Sequence, residues 1–291
     1  MKTLHALLLL SPLCALVPGV AAALDWQLSA DMRLVNSDGQ RSLFDGGLGT
    51  LRYDDAHDGL QVGRLRLALT EPLGEVWALK LDGSYWGQDE THSTGLTEAF
   101  LEYRPYPIEG WRARVRIGAF FPPGSLENTA AGWSSPYTLS SSAANSWIAE
   151  EVRTIGVEGK VEWLGTRLGH DFDFGLTGGV FGWNDPAGVV VATGGFSLND
   201  FQTPISGYIG ARGSTVFAER QLFREIDNRA GYYVGGEARY LDRVTLLALH
   251  YDNRADPEAS NALTGAFAWE TRYDSVGVRA QTESGWTAIV Q

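Results

Sequence analysis

Between Trp111 and Ile117 the chain alternates without a break: Trp111, Ala113, Val115 and Ile117 fall on one side of an extended strand, and Arg112, Arg114 and Arg116 on the other. Successive side chains of a strand point to opposite faces, so this segment offers one face to an apolar medium and one to water. A soluble sheet buries its apolar face under a second layer, but three arginines in file on the other face demand an aqueous lumen or a dense set of counter-charges. The alternation recurs. In 26–36, Trp26, Leu28, Ala30, Met32 and Leu34 oppose Gln27, Ser29, Asp31 and Arg33; in 60–70, Leu65, Leu67 and Leu69 oppose Arg64, Arg66 and Thr70. In 75–86, Trp77, Leu79, Leu81 and Tyr85 oppose Lys80, Asp82 and Ser84. Further strands are expected at 96–104, 111–121, 153–163, 171–183, 231–241, 244–252, 267–281 and 286–291, with a bulge near Tyr273. Segments of about ten residues with this dyad pattern predict an all-β chain, a transmembrane antiparallel β-barrel.

Met1, Lys2 and His5 lead into an apolar run over 6–17, which Pro18 and Gly19 break before Ala21, Ala22 and Ala23. This predicts a cleaved secretory signal over 1–23 and a barrel domain over 24–291. Cys14, the only cysteine, lies inside the run. Leu13 stands where a lipidated cysteine takes a small neighbour, so neither a lipoprotein nor a disulfide is expected. Beyond the signal, 22 basic residues face 35 acidic ones, a balance that argues against a nucleic-acid partner.

Connections alternate in length. Short ones are expected at 71–74, 105–110, 164–170, 241–243 and 282–285, long ones at 37–59, 122–152, 184–230 and 253–266. Outer-membrane barrels combine short periplasmic turns with long external loops, and a periplasmic N-terminus puts every long connection here outside. Trp26, Trp77, Tyr85, Trp111, Trp163, Tyr240, Trp269 and Trp286 stand near strand ends, as the aromatic girdles of such barrels do. Eleven strands are counted and the last, from Trp286 to Gln291, is short, so the chain is expected to be the N-terminal part of a barrel of about 16 strands.

The water phase of the first five strands carries Arg33, Arg64, Arg66, Lys80, Arg104, Arg112, Arg114 and Arg116 against Asp31, Asp82, Glu98 and Glu102, a basic wall. From the sixth strand on, Glu158, Glu162, Asp171, Asp173, Glu237, Asp252, Glu270 and Asp274 outweigh Lys160, Arg239 and Arg272, an acidic wall. Loop 122–152 carries Glu127, Glu150 and Glu151, no basic residue, and many serines. Folded inward, its carboxylates would face the arginine row and make a constriction with a transverse field. The simpler alternative pairs Arg112, Arg114 and Arg116 with Glu98 and Glu102 of the neighbouring strand. The expected pore-lining set is Arg64, Arg66, Arg112, Arg114, Arg116, Glu98, Glu102, Glu127, Glu150 and Glu151.

The run Arg116, Ile117, Gly118, Ala119, Phe120, Phe121, Pro122, Pro123, Gly124, Ser125, Leu126, Glu127 resembles the strand-to-loop segment of porins related to the phosphate-selective O and P type. The resemblance implies a homotrimeric channel of about 16 strands whose third external loop enters the pore. The loop lacks the lysines of a phosphate trap, so a general or substrate-biased porin fits better.

The expected function is passive diffusion of small hydrophilic solutes, including anions, across a bacterial outer membrane, with membrane lipid and lipopolysaccharide as surroundings. The alternative is a closed barrel that serves as receptor or adhesin through its external loops. No catalysis, cofactor or metal is expected: of His57, His92, His170 and His250, only His250, beside Asp252, sits within a strand. Asp54, Asp55, His57 and Asp58 form an acidic knot read as a solvated loop, since the EF-hand spacing is absent. Glu219, Arg220, Arg224, Glu225 and Asp227 around Leu222, Phe223 and Ile226 predict a short amphipathic helix or a strand extension.

Overall fold

A computed structural model describes residues 24–87, 94–210 and 220–291; the expected signal segment 1–23, His92 and Glu219 lie outside the described residues. Strands follow in chain order: β1 (Asp25–Val35), β2 (Gly59–Leu73), β3 (Trp77–Trp86), β4 (Thr94–Tyr103), β5 (Trp111–Phe120), β6 (Thr154–Trp163) and β7 (Phe172–Gly182). After a short pair, β8 (Tyr208–Ile209) and β9 (Arg220–Gln221), come β10 (Gly231–Tyr240), β11 (Val244–Asp252), β12 (Arg272–Gln281) and β13 (Thr287–Val290). The two helices, α1 (Ala143–Glu150) and α2 (Val189–Gly194), lie in the long loops. Each of the eleven expected strands is present.

Apart from the β8–β9 pair, the strands form one antiparallel sheet in the order β1-β2-β3-β4-β5-β6-β7-β10-β11-β12-β13. Among the described residues it is an open sheet with β1 and β13 at its edges, not a closed barrel. An antiparallel meander sends successive connections to alternate ends, so the long ones gather at one end and the short ones at the other. A tight turn joins β10 to β11: Leu241 and Asp242 take φ of 46° and 54°, and the Arg243 amide donates to the Tyr240 carbonyl at 2.8 Å. Positive φ at both central residues matches the twist of the flanking strands. No helix among the described residues is long and apolar enough to cross a membrane.

The alternation translates into two unlike faces. On the outer face Leu28, Leu67, Leu176, Val180 and Val276 have no protein over them; Leu176 and Val276 are each 71% exposed. The inner face is polar and lies under loop 121–153. Within that loop Leu126 reaches β12, where a Cβ placed on Gly277 would meet its Cδ1 at 2.8 Å, and Gly132 reaches β2, where its Cβ would meet Arg66 Nε at 2.4 Å. A flat sheet would hold β2 and β12 about 38 Å apart. The six residue-to-residue steps from Leu126 to Gly132 span at most about 22 Å, so the sheet is curled around the loop.

Two apolar clusters hold the long loops in place. Ile148 and Val152 pack with Phe100, Phe120, Phe181 and Tyr233 on the inner face near the long-loop end. Leu43 and Phe44 of the first loop join Trp86, Val189, Phe201 and Leu222 in the second cluster. The segment expected to be an amphipathic helix or strand extension takes the strand form only at β9, and Leu222 and Phe223 after it are buried.

The bulge expected near Tyr273 is absent: β11 and β12 pair without a register shift from Val244↔Ala280 to Asp252↔Arg272. Register shifts occur instead at Asp31/Met32 between β1 and β2 and at Asp82/Gly83 between β3 and β4. The expected strand 267–281 begins only at Arg272, because 267–271 is tied into the loops, with the Trp269 amide donating to the Asp185 carbonyl at 2.8 Å.

Candidate functional site

The inner face carries a lattice of cross-strand ion pairs centred on the arginine row. Arg112 meets Glu162 at 2.7 Å, Arg114 meets Glu158 at 3.0 Å, and Arg116 meets Glu158 at 2.8 Å. The partners sit on β6, directly opposite, where the register sets Arg112 against Glu162 and Arg116 against Glu158. Glu98 and Glu102 on the other flank are engaged elsewhere: Glu102 pairs with Lys80 at 2.7 Å, and Glu98 accepts from the Phe121 amide at 3.1 Å. The alternative pairing of the row with Glu98 and Glu102 is therefore corrected; β6 supplies the counter-charge. The lattice continues through Lys160, which contacts Glu162 at 3.1 Å and Glu237 at 3.0 Å, to Arg239, 3.3 Å from Glu237. On the other side Arg66 pairs with Asp82. Paired charges so arranged are satisfied in a polar interior.

Loop 122–152 folds inward, but its carboxylates do not face the arginines. Glu127 accepts from the Ser142 amide at 3.0 Å and from Asn145 Nδ2 at 2.7 Å, fixing the start of α1. Glu150, buried at the end of α1, accepts from Asn199 Nδ2 at 2.7 Å. Glu151, fully buried, accepts from Trp147 Nε1 at 2.6 Å and from the Gly188 and Val190 amides at 3.1 and 2.8 Å. Burial pushes the Glu150 carboxyl up to about 8 and that of Glu151 up to about 7. The expected constriction edge is thus a lock between loops: a short helix in a crowded corner needs its ends satisfied, and these side chains do it.

Arg153 completes the lock and carried no signal in the sequence, since it breaks no pattern. It is fully buried, and its guanidinium donates to the carbonyls of Thr97 and Ala149, each at 2.8 Å, and of Thr203 at 2.5 Å. It lies 4.6 Å from the centre of the Phe121 ring and 4.8 Å from that of Phe223. Burial brings its pKa down to about 9.

The walls differ from the expected charge map. Arg104 is exposed in the turn after β4, Asp171 precedes β7, and Glu270 lies in a loop. Tyr251 and Tyr273, which pair in register, turn inward, so Asp252, Arg272 and Asp274 fall on the outer face near the long-loop end. The inner face of β6–β13 then holds Glu158, Glu162, Asp173 and Glu237 against Lys160, Arg239 and Arg279, close to balance. The β1–β5 wall, without Arg104, stays basic.

His250 also points outward, with Nδ1 2.8 Å from Asp274 Oδ1, and joins no inner site. The acidic knot is only partly solvated: Asp54 is buried, accepts from the Ser42 and Ala56 amides at 2.7 and 3.0 Å, and meets His57 Nδ1 at 2.7 Å. Asp45, Asp54 and His57, and separately Asp185, Glu225 and Asp227, bring three potential metal-ligand atoms within 4.8 Å of one another. In each group backbone amides already engage a carboxylate, as those of Ile226 and Asp227 do at Asp185.

Comparison with known proteins gives no match to a family model, to a curated protein or to a solved structure.

Proposed function

We propose that the chain belongs to an outer-membrane β-barrel through which small hydrophilic solutes diffuse passively. The observation that carries this reading is the division of one curled sheet into an outer face made largely of uncovered apolar side chains and an inner face that holds a lattice of paired charges. An apolar surface continuous over so many strands is far larger than soluble monomers expose, and lipid is the partner that fits it. Aromatic side chains line the short-turn end of that surface: Trp26, Trp77, Trp111, Phe172 and Tyr240 all stand at strand ends there and are exposed. Such a ring is what a membrane interface selects.

Traffic follows from the inner face. The arginine row and Arg66 draw anions to the β1–β5 wall, and the loop lock narrows the passage. The full chain in a planar bilayer, under a potassium chloride gradient, is expected to give steady conductance with a reversal potential that favours anions. A folded protein that conducts nothing would overturn this reading. It would favour the closed receptor or adhesin, for which the apolar packing of Ile148 and Val152 against the inner face is the supporting observation.

A further inference from the structure

On the outer face, at the short-turn end of β6 and β7, lies an open hollow of about 430 Å³ lined by Trp163, Gly169, His170, Asp171, Phe172 and Phe174. It exists because no tight hairpin joins the two strands. A short 3₁₀ turn, Gly165–Leu168, makes the connection and ends at Gly169, where φ is 85° and a Cβ would meet nothing within 4 Å. Gly165 lets the Trp163 ring settle on that turn, since a Cβ there would lie 2.6 Å from it. The His170 ring centre is 5.2 Å from that of Trp163. The Leu241 amide donates to the Asp171 carbonyl at 2.9 Å and fixes the rim.

One wall is flat and aromatic. Register sets Trp163 opposite Phe174, with ring centres 5.9 Å apart and planes 12° from parallel. Phe172 lies 6.0 Å from Phe174 at 8°. The wall leads into a trough. Beyond Val161 and Leu176, also opposite each other, Gly159 faces Gly178. A Cβ on Gly159 would meet nothing within 4 Å, and one on Gly178 only the Tyr233 carbonyl oxygen at 3.8 Å. Val115 and Val234 flank this pair in register. From Phe174 to Gly178 the trough runs about 13 Å toward the middle of the sheet.

The rim is polar. The Asp171 side chain is exposed and, among the described residues, has neither an ion pair nor a hydrogen bond. A carboxylate at the edge of an aromatic wall selects a cation, and an ammonium gains further from the face of a neighbouring ring. A cation-selective rim joined to an apolar trough fits an amphiphile with a cationic head.

We propose that this hollow holds a phospholipid whose headgroup carries a primary amine, of the phosphatidylethanolamine type. Its ammonium pairs with Asp171 beside the aromatic wall, and its phosphate accepts from the His170 imidazole. Arg167 stands outside the lining but in the same turn, exposed and without a carboxylate partner among the described residues, and adds a positive field for the phosphate. One acyl chain follows Phe174 and Leu176 into the trough over Gly159 and Gly178. The proposal rests on the membrane reading, because lipid reaches the outer face only where that face lies in a bilayer.

The test inserts the full chain into vesicles of equimolar phosphatidylethanolamine and phosphatidylglycerol with matched acyl chains, extracts it in mild detergent and reads the retained lipid by native mass spectrometry. Phosphatidylethanolamine is expected to be retained about fivefold over phosphatidylglycerol, the worth of one exposed ion pair. Asp171→Asn, in an exposed turn, is expected to abolish that preference. Gly159→Leu, which fills the trough at a position with open space, is expected to reduce retention of both lipids. Insertion without a preference, or a preference that survives Asp171→Asn, would overturn the site and leave the membrane reading standing. Retention unchanged in Gly159→Leu would overturn the placement of the acyl chain. A chain that stays in the aqueous phase without detergent would overturn the membrane reading, and the lipid site with it.

Discussion

Tyr233 on β10 and Glu158 on β6 are separated by β7, yet the phenol donates to Glu158 Oε2 across it at 2.7 Å. The crossing exists because β7 has Gly179 there: a Cβ at that position would lie 2.4 Å from Tyr233 Cζ. Glu158 thus joins the arginine row to the aromatic cluster under the loop.

Gly179→Ala is expected to push the Tyr233 ring off Glu158 and destabilise the sheet by about 1–3 kcal/mol. Tyr233→Phe, which keeps the ring and loses only the hydrogen bond, is expected to cost about 1–2 kcal/mol. Urea midpoints of the refolded protein in detergent measure both. A Gly179→Ala protein as stable as the parent would show that the crossing bears no load.

Glu158→Gln leaves Arg114 and Arg116 without their counter-charge. It is expected to raise the chloride-to-potassium permeability ratio severalfold, whereas neutralising Arg112, Arg114 and Arg116 together shifts selectivity toward cations. Reversal potentials read both. Identical potentials in the two variants would place the row outside the path of the ions.

Glu150 and Glu151 make the loop lock sensitive to pH. Burial raises their folded-state values to about 8 and about 7, above the ordinary value of 4.5, so the folded loop prefers the protonated carboxyls. Their stabilisation is full below about pH 4.5 and is lost as pH rises through 7 to 8. Amide exchange within α1, corrected for its intrinsic pH dependence, is expected to be on the order of tenfold faster or more at pH 9 than at pH 5. Glu150→Gln is expected to remove most of that difference.

Arg153→Met would leave the carbonyls of Thr97, Ala149 and Thr203 buried without a donor. A loss of about 3–5 kcal/mol is expected, with the long loops opening first. Limited proteolysis of the folded protein follows this directly. Arg153→Lys is expected to rescue little, since an ammonium lacks the planar fork.

Leu176→Arg places a charge on the outer face of β7. Midway across a bilayer it costs about 2–4 kcal/mol, so slower insertion into lipid vesicles is expected. Thr177→Arg, one residue on and facing inward, is expected to insert nearly as well as the parent. Equal insertion of both would count against a lipid-facing outer surface.

Much of this architecture is legible one residue at a time. Trp111 to Ile117 alternates because a strand turns successive side chains to opposite faces, and the same rule located all eleven strands of the sheet. Where the rule rests on a false strand start it fails: 267–271 is loop, so the phase extrapolated from Trp269 put Asp274 inside when it faces out. The sequence by itself determined the strands, their two faces and the alternation of short and long connections, because these depend on local geometry. Only the tertiary structure decided the partners. Arg116 takes Glu158 and not Glu102, Glu150 and Glu151 turn away from the arginine row to bind another loop, and Arg153 is buried without a carboxylate partner among the described residues. Those choices depend on which segments the curled sheet brings within about 3 Å of one another, a distance that no periodicity in the chain encodes.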